Sequence, residues 1–185
     1  MTPGVLLALA LAFPPKPWNP LALEHFDAGR KYQEQSLYPY AIDQFQLSLS
    51  TEPHPQTERA LGECFAEMKQ PLLACIHLER FADKGWPDAE SLNRLGCLQL
   101  QLNKVDDARK TFVRLEPLDG ESAHTGLTQV ELQLARKSYD AHDWKASAEH
   151  FRAALDLSHG DPRALDGLAH AERMIEESAP KRPRR

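Results

Sequence analysis

Cysteine is too sparse and too scattered in this chain to organise a fold or a metal site. Cys64, Cys75 and Cys97 form no CxxC pair and no Cys/His pattern with zinc-ligand spacing. An odd count of three excludes a disulfide-stapled scaffold; it suits a reducing compartment best and leaves an oxidising one open. Positive charge is lacking over most of the chain as well. The net charge is −5, and Lys181 to Arg185 hold four of the positive charges, which leaves −9 for the rest. Such a body repels phosphate backbones, so nucleic acid is a poor partner.

Long apolar runs are also missing. A bilayer-spanning helix needs about 20 apolar residues. The run from Val5 to Ala12, followed by Phe13-Pro14-Pro15-Lys16-Pro17, is far shorter. It looks like the apolar region of a secretory signal with a small-x-small site at Ala10-Leu11-Ala12, although only the terminal amine supplies positive charge before it. This pattern favours export, with the cytoplasm as the alternative, and membrane association is expected only through an uncleaved leader. Residues 1–20 therefore read as a leader and Pro-rich segment, 21–178 as the folded domain, and 179–185 as a basic disordered tail.

Signatures of catalysis are equally scarce. There is no Gly-rich phosphate loop and no G-x-S-x-G elbow. Asp106-Asp107 and Glu176-Glu177 are neighbours in sequence and diverge on a helix, whereas acid–base chemistry needs groups that converge in a cleft. Eight histidines contain no HExxH. His77 and His150 share a position one place before a large apolar residue and are expected to face outward; His142 and His150 lack a third ligand at helical spacing. Cys97 has no identifiable basic partner to activate it. Cys64 and Cys75 are expected to pack as free thiols, a bridge between them being the alternative in an exported chain. The sequence thus offers no catalytic residue, metal site, cofactor or small-molecule substrate. With 42% apolar and 26% charged residues, it has the balance of a folded soluble protein.

What is present is a repeat. Ala41-Ile42-Asp43-Gln44-Phe45 is echoed 33 residues on by Ala74-Cys75-Ile76-His77-Leu78 and a further 34 on by Ala108-Arg109-Lys110-Thr111-Phe112. Ser147-Ala148-Glu149-His150-Phe151 follows 39 residues later. Each places a small residue four positions before a large one, the spacing of one helix face. Twelve places upstream of each small residue stand Gly29, Gly62, Gly96 and Ala135, and three places beyond these come Tyr32, Phe65, Gln99 and Ser138. Small residues on a first helix let a second helix approach, and large residues one turn away lock the pair. Pro39 and Pro71 fall where second helices begin, and Asp161-Pro162 reads as an N-cap with proline in the first turn. Pro117 should cut the third second-helix short, and five extra residues before the fourth repeat predict either a kink or a long first helix.

This pattern resembles the tetratricopeptide-repeat family, whose signature is Trp/Leu–x2–Leu–Gly–x2–Tyr, then Ala–x3–Phe–x2–Ala, then Pro. The repeats fall at 22–54, 55–88, 89–122 and 128–161, with a capping helix over 162–178 that should turn Leu165, Leu168, Ala169 and Ile175 inward. The resemblance implies an all-α, right-handed superhelical solenoid of about four helix-turn-helix repeats. It also implies a concave groove lined by first-helix residues. Carried over position by position, these are Phe26, Asp27, Arg30, Gln33 and Glu34; Arg59, Glu63 and Glu67; Glu90, Asn93, Arg94, Cys97 and Gln101; and Gln129, Gln133, Arg136, Tyr139 and Asp140. The chaperone-binding class of the family carries asparagine where this chain has Arg30 and Glu63, so that clamp is not expected. The implied function is a non-catalytic adaptor that binds a peptide or protein segment in the groove. The alternative is a permanent structural subunit, in an envelope assembly if exported, that uses its convex face or its caps.

Overall fold

In the computed structural model of the protein, residues 17–84 and 87–178 are described. Residues 1–16 of the expected leader and Pro-rich segment over 1–20, and the expected tail over 179–185, lie outside them. Nine helices and no strand occur among the described residues. Proline or a capping side chain sets most of their starts. Helix α1, Pro20–Glu34, begins at Asn19, whose side chain accepts the Leu21 N–H at 2.9 Å. Helices α2 (Tyr38–Thr51), α3 (Pro55–Glu67) and α4 (Pro71–Lys84) each carry proline in the first turn, where its missing N–H removes no helical bond. Asp88 caps α5 (Ala89–Gln101) through Ser91, and Asp119 caps α7 (Gly120–Asp140) through Ser122. Asp143 caps α8 (Trp144–Ser158) through Ala146, and Asp161 accepts from Arg163 at the start of α9 (Pro162–Ser178). Helix α6, Val105–Leu115, is the shortest at 11 residues and stops just before Pro117.

The helices pair as antiparallel hairpins, α1 with α2, α3 with α4, α5 with α6 and α7 with α8, and α9 packs on α8. All four hairpins turn on one device. Ser36, Lys69, Asn103 and His142 sit at the same repeat position with φ of 59°, 56°, 58° and 60°. The residue after each returns its N–H to the carbonyl five back: Leu37 to Tyr32, Gln70 to Phe65, Lys104 to Gln99 and Asp143 to Ser138, at 2.8–2.9 Å. This is the six-to-one closure that satisfies the last carbonyls of a helix.

The repeated small residues are contact points. A Cβ on Gly29 would stand 2.5 Å from the Phe45 ring, one on Gly62 2.7 Å from Leu78, and one on Gly96 2.6 Å from the Phe112 ring. In the fourth hairpin Ala135 replaces glycine, and Ser147 opposite it donates to the Ala135 carbonyl at 2.9 Å. The extra residues before that hairpin lengthen α7 to 21 residues, so the long helix and not the kink is found. Its added turn brings Gly126 against the far side of Phe112, which is thus held between two glycines.

The capping helix is rotated from its expected orientation. Leu165 is 51% exposed and Ala169 is exposed, while Ala164 and Ala171 are fully buried with Leu168 and Ile175 beside them. Gly167 explains the difference: it sits where any Cβ would collide with Phe151, and the helix turns to bring that bare position onto the ring.

Candidate partner-binding groove

First-helix residues of successive hairpins share one face, and two clefts open along it. The first, about 490 Å³, is bounded by Trp18, Leu23, Phe26, Arg30, Gln56, Arg59, Ala60 and Glu63. The second, about 950 Å³, is bounded by Leu100, Gln101 and Asn103, by Gln129, Leu132, Gln133, Arg136, Lys137 and Asp140 of α7, and by Val105, Phe151 and Arg163.

From the first cleft towards the second, most of the groove charges are occupied by one another. Arg59 binds Glu63 at 2.8 Å and reaches across the repeat boundary to Asp88 at 2.5 Å and Glu90 at 3.7 Å. Arg94 binds Glu67 at 3.2 Å and Glu90 at 4.0 Å. Gln33 donates to Glu63 at 3.0 Å and accepts from Arg30 at 3.2 Å. Desolvation works against the Arg59 charge, yet its hydrogen bond to Glu63 and the fields of Glu63, Asp88 and Glu90 outweigh it and raise the pKa. Arg59 is thus a bracket between the second and third hairpins, with its side chain only 25% exposed.

Other expected groove residues separate into three kinds. Phe26 is shared with the core, its ring 5.6 Å from Phe45 and 4.9 Å from Trp18. Tyr139 packs on Trp144 and on His170 of the capping helix, at 4.7 and 5.6 Å between ring centres. Asp27 lines the outer side of α1 with Lys31 and Tyr32 and not the cleft that holds Arg30. Glu34 is exposed at the end of α1, and Asn93 is bonded by Cys97 from one turn on, at 3.8 Å. Gln101, Arg136 and Asp140 line the larger cleft.

Trp18, Asn103, Lys137 and Arg163 border the clefts without having been singled out from sequence. Trp18 precedes the first repeat. It stacks on His54 at 3.6 Å between ring centres, while the Asn19 N–H binds Glu52 at 2.8 Å, so the Pro-rich entry segment belongs to the fold from that point. Its aromatic character was the available signal; its partner lies one hairpin away in sequence.

The histidines expected to face outward do not. His77 binds Glu58 at 2.6 Å and His150 binds Glu131 at 2.8 Å, with only 14% and 31% of the histidine side chains exposed. Each pair spans 19 residues, from the first helix to the second of one hairpin, and His25 with Gln44 uses the same two positions at 3.0 Å. Position-to-position pairing inside the hairpin explains them, because polar side chains drawn from water must find partners. Cys64 and Cys75 are free and buried. Burial first, then nearby Glu63 or Glu79, pushes each thiol up to about 12, so neither is a ready nucleophile. Among the described residues no group of three His, Cys, Asp or Glu is arranged to hold a metal ion, and no helix is long and apolar enough to cross a membrane.

No protein-family model and no curated sequence matches the chain. Solved structures do. MamA aligns with a TM-score of 0.57 at 17% identity, over 84% of this chain and 83% of that one. YrrB, a TPR protein with an unusual peptide-binding site, aligns with a TM-score of 0.60 at 13% identity, over 85% and 79%. A tetratricopeptide repeat protein from Parabacteroides merdae aligns with a TM-score of 0.55 at 17% identity, over 94% and 66%. At such identities the likeness speaks for the fold alone, and together with the recurring register of small residues, large residues and turns it gives this chain the all-α solenoid fold of tetratricopeptide-repeat proteins.

Proposed function

We propose that the chain is a non-catalytic interaction scaffold that holds a peptide or protein segment along its concave face. The observation that carries this reading is the alignment of two clefts, about 490 and 950 Å³, along the face made by successive first helices. An extended segment rises about 3.3 Å per residue and so meets several repeats at once. The peptide-binding site of YrrB, a protein of the same fold, supports the reading by analogy. The ligand is a protein and not nucleic acid, which the acidic body repels.

A second reading, a permanent structural subunit, is favoured by the apolar side chains that the first hairpin leaves exposed among the described residues. There Leu21, Leu23, Tyr32 and Tyr40 are 52%, 38%, 37% and 59% exposed on α1 and α2. The assignment of residues 1–20 as a signal-like leader and Pro-rich segment, of which Trp18 to Pro20 pack on the fold, and of 179–185 as a basic tail belongs to the proposal too.

Site-specific photo-crosslinking in native cells tests both readings. Probes replace Gln101 and Gln129 in the groove, Val113 on the outer helix α6, and Tyr40 on the first hairpin. One protein joined from the groove positions but not from Val113 or Tyr40 is the expected result. Capture confined to Val113 or Tyr40 would overturn groove binding and make the structural subunit the better account.

A further inference from the structure

The groove is uneven along its length, and the unevenness says what kind of segment it takes, given that it takes one. In the second and third hairpins the groove arginines are engaged by the protein's own acids, Arg59 by Glu63, Asp88 and Glu90, and Arg94 by Glu67 and Glu90, while Arg30 of the first hairpin bonds only the Gln33 amide and stands alone beside them. An acidic ligand gains little there, because it must displace carboxylates already in place.

The larger cleft differs. Its walls carry Arg136, Lys137 and Arg163 against one acid, Asp140, in a chain whose net charge is −5. Arg163 is held by Asp161 at 2.6 Å. Arg136 and Lys137 are exposed on α7 with no side-chain bond or ion pair. Deeper in the same cleft Val105 and Phe151 are buried except for their 9% exposed edges, and the partly buried Leu132 lines it with them. Cations without partners and apolar side chains deeper in the cleft define a complementary ligand.

We propose that the cleft between the third and fourth hairpins binds an extended peptide segment that alternates acidic and apolar side chains. The acids meet Arg136 and Lys137, and the apolar side chains rest on Val105, Leu132 and Phe151. Such a segment presents its two kinds of side chain to opposite sides. The first two hairpins then contribute length and rigidity to the array more than affinity.

Fluorescence anisotropy with the full chain tests this, using labelled peptides of about ten residues that alternate Glu, Lys or Gln with Leu. The Glu-Leu peptide should bind at least about tenfold tighter than the Lys-Leu peptide, and its affinity should fall as salt rises. The double variant Arg136→Glu/Lys137→Glu should remove that preference, while Arg30→Glu leaves it intact; circular dichroism confirms that both variants fold. Glu-Leu binding that is indifferent to the double variant and lost in Arg30→Glu would move the site to the first cleft, overturning this inference and keeping groove binding. Equal or tighter binding of the Lys-Leu or Gln-Leu peptide would overturn the acidic class alone. If none of the peptides binds, the acidic segment is likewise overturned, and the crosslinks from Gln101 and Gln129 decide separately whether the groove binds anything.

Discussion

Phe112 is held between Gly96 and Gly126, and a single methyl group tests that arrangement from either side. A Cβ at Gly96 would lie 2.6 Å from the ring, and one at Gly126 would collide with it. The ring is fully buried and cannot swing away. Gly96→Ala and Gly126→Ala should each destabilise by about 1–3 kcal/mol through overpacking, read by urea denaturation. Gly120→Ala, with nothing within 4 Å of its Cβ, serves as the control and should be neutral or slightly stabilising. Adding Phe112→Leu to Gly126→Ala should recover part of the loss, whereas additive losses would show that the ring is not the obstacle. Gly96 was legible in sequence because it recurs in register with Gly29 and Gly62. Gly126 was not, since it lies in the turn of α7 that precedes the repeat. The ion pairs of Arg59 were hidden for another reason: Asp88 and Glu90 come within reach only through the spacing of adjacent hairpins.

At the scale of the element, the turn inside each hairpin is a repeated strain. Lys69 and His142 hold φ of 56° and 60° without a glycine's freedom. The left-handed region costs a residue with a Cβ about 1–2 kcal/mol, offset by glycine's larger entropy loss. Lys69→Gly should therefore raise the melting temperature by a few degrees; His142→Gly and Asn103→Gly should do less, since both residue types tolerate positive φ and the first gives up a ring contact with Trp144 at 5.0 Å and the second a bond from Gln133 at 3.0 Å. A fall in all three would mean that the side chains at these turns carry compensating contacts.

The entry to α3 is pH-sensitive. His54 accepts the Gln56 N–H through Nδ1 at 3.4 Å while it stacks on Trp18. Burial lowers its pKa against the opposing pull of Glu52. A depressed folded value means that this contribution is present above the unfolded pKa of about 6.5 and is lost as pH falls through the folded value. Thermal melts at pH 7.5 and 5.5 should show a larger loss for the wild type than for His54→Asn, which keeps a capping side chain but does not titrate. Equal losses would show that His54 does not set the pH dependence. The helical fold and several helix starts were readable because proline and aspartate mark them, as at Pro39, Pro71 and Asp161-Pro162. The rotation of α9 was not, because Leu165 and Leu168 fit an inward stripe equally well until Phe151 is placed against Gly167.

Across the whole molecule, stability in a stacked array is a sum of units and the interfaces between neighbours. The buried residues form two separate clusters. One runs from Ala41 to Val130 and contains Phe45, Leu61, Leu78 and Phe112; the other consists of Phe151 with Ala135, Ala148, Ala154, Ala164 and Ala171. Alanine buries little apolar surface, and buried area sets the strength of the hydrophobic term at about 25 cal/mol per Å². The second cluster is accordingly the weaker cooperative unit, with α9 at its free end. Native-state hydrogen exchange should find the slowest amides in α4–α6 and markedly faster exchange in α9 and the adjoining face of α8. Truncation after Asp161 should uncover Phe151 and Ala148, lower the melting temperature and promote association, while the first cluster keeps its protection. If α9 exchanges as slowly as α5, the array unfolds as one unit and the division into two clusters has no energetic meaning. If α9 frays alone, the cleft that contains Phe151 and Arg163 is bounded by the most easily opened helix of the fold, and ligand binding there should slow its exchange.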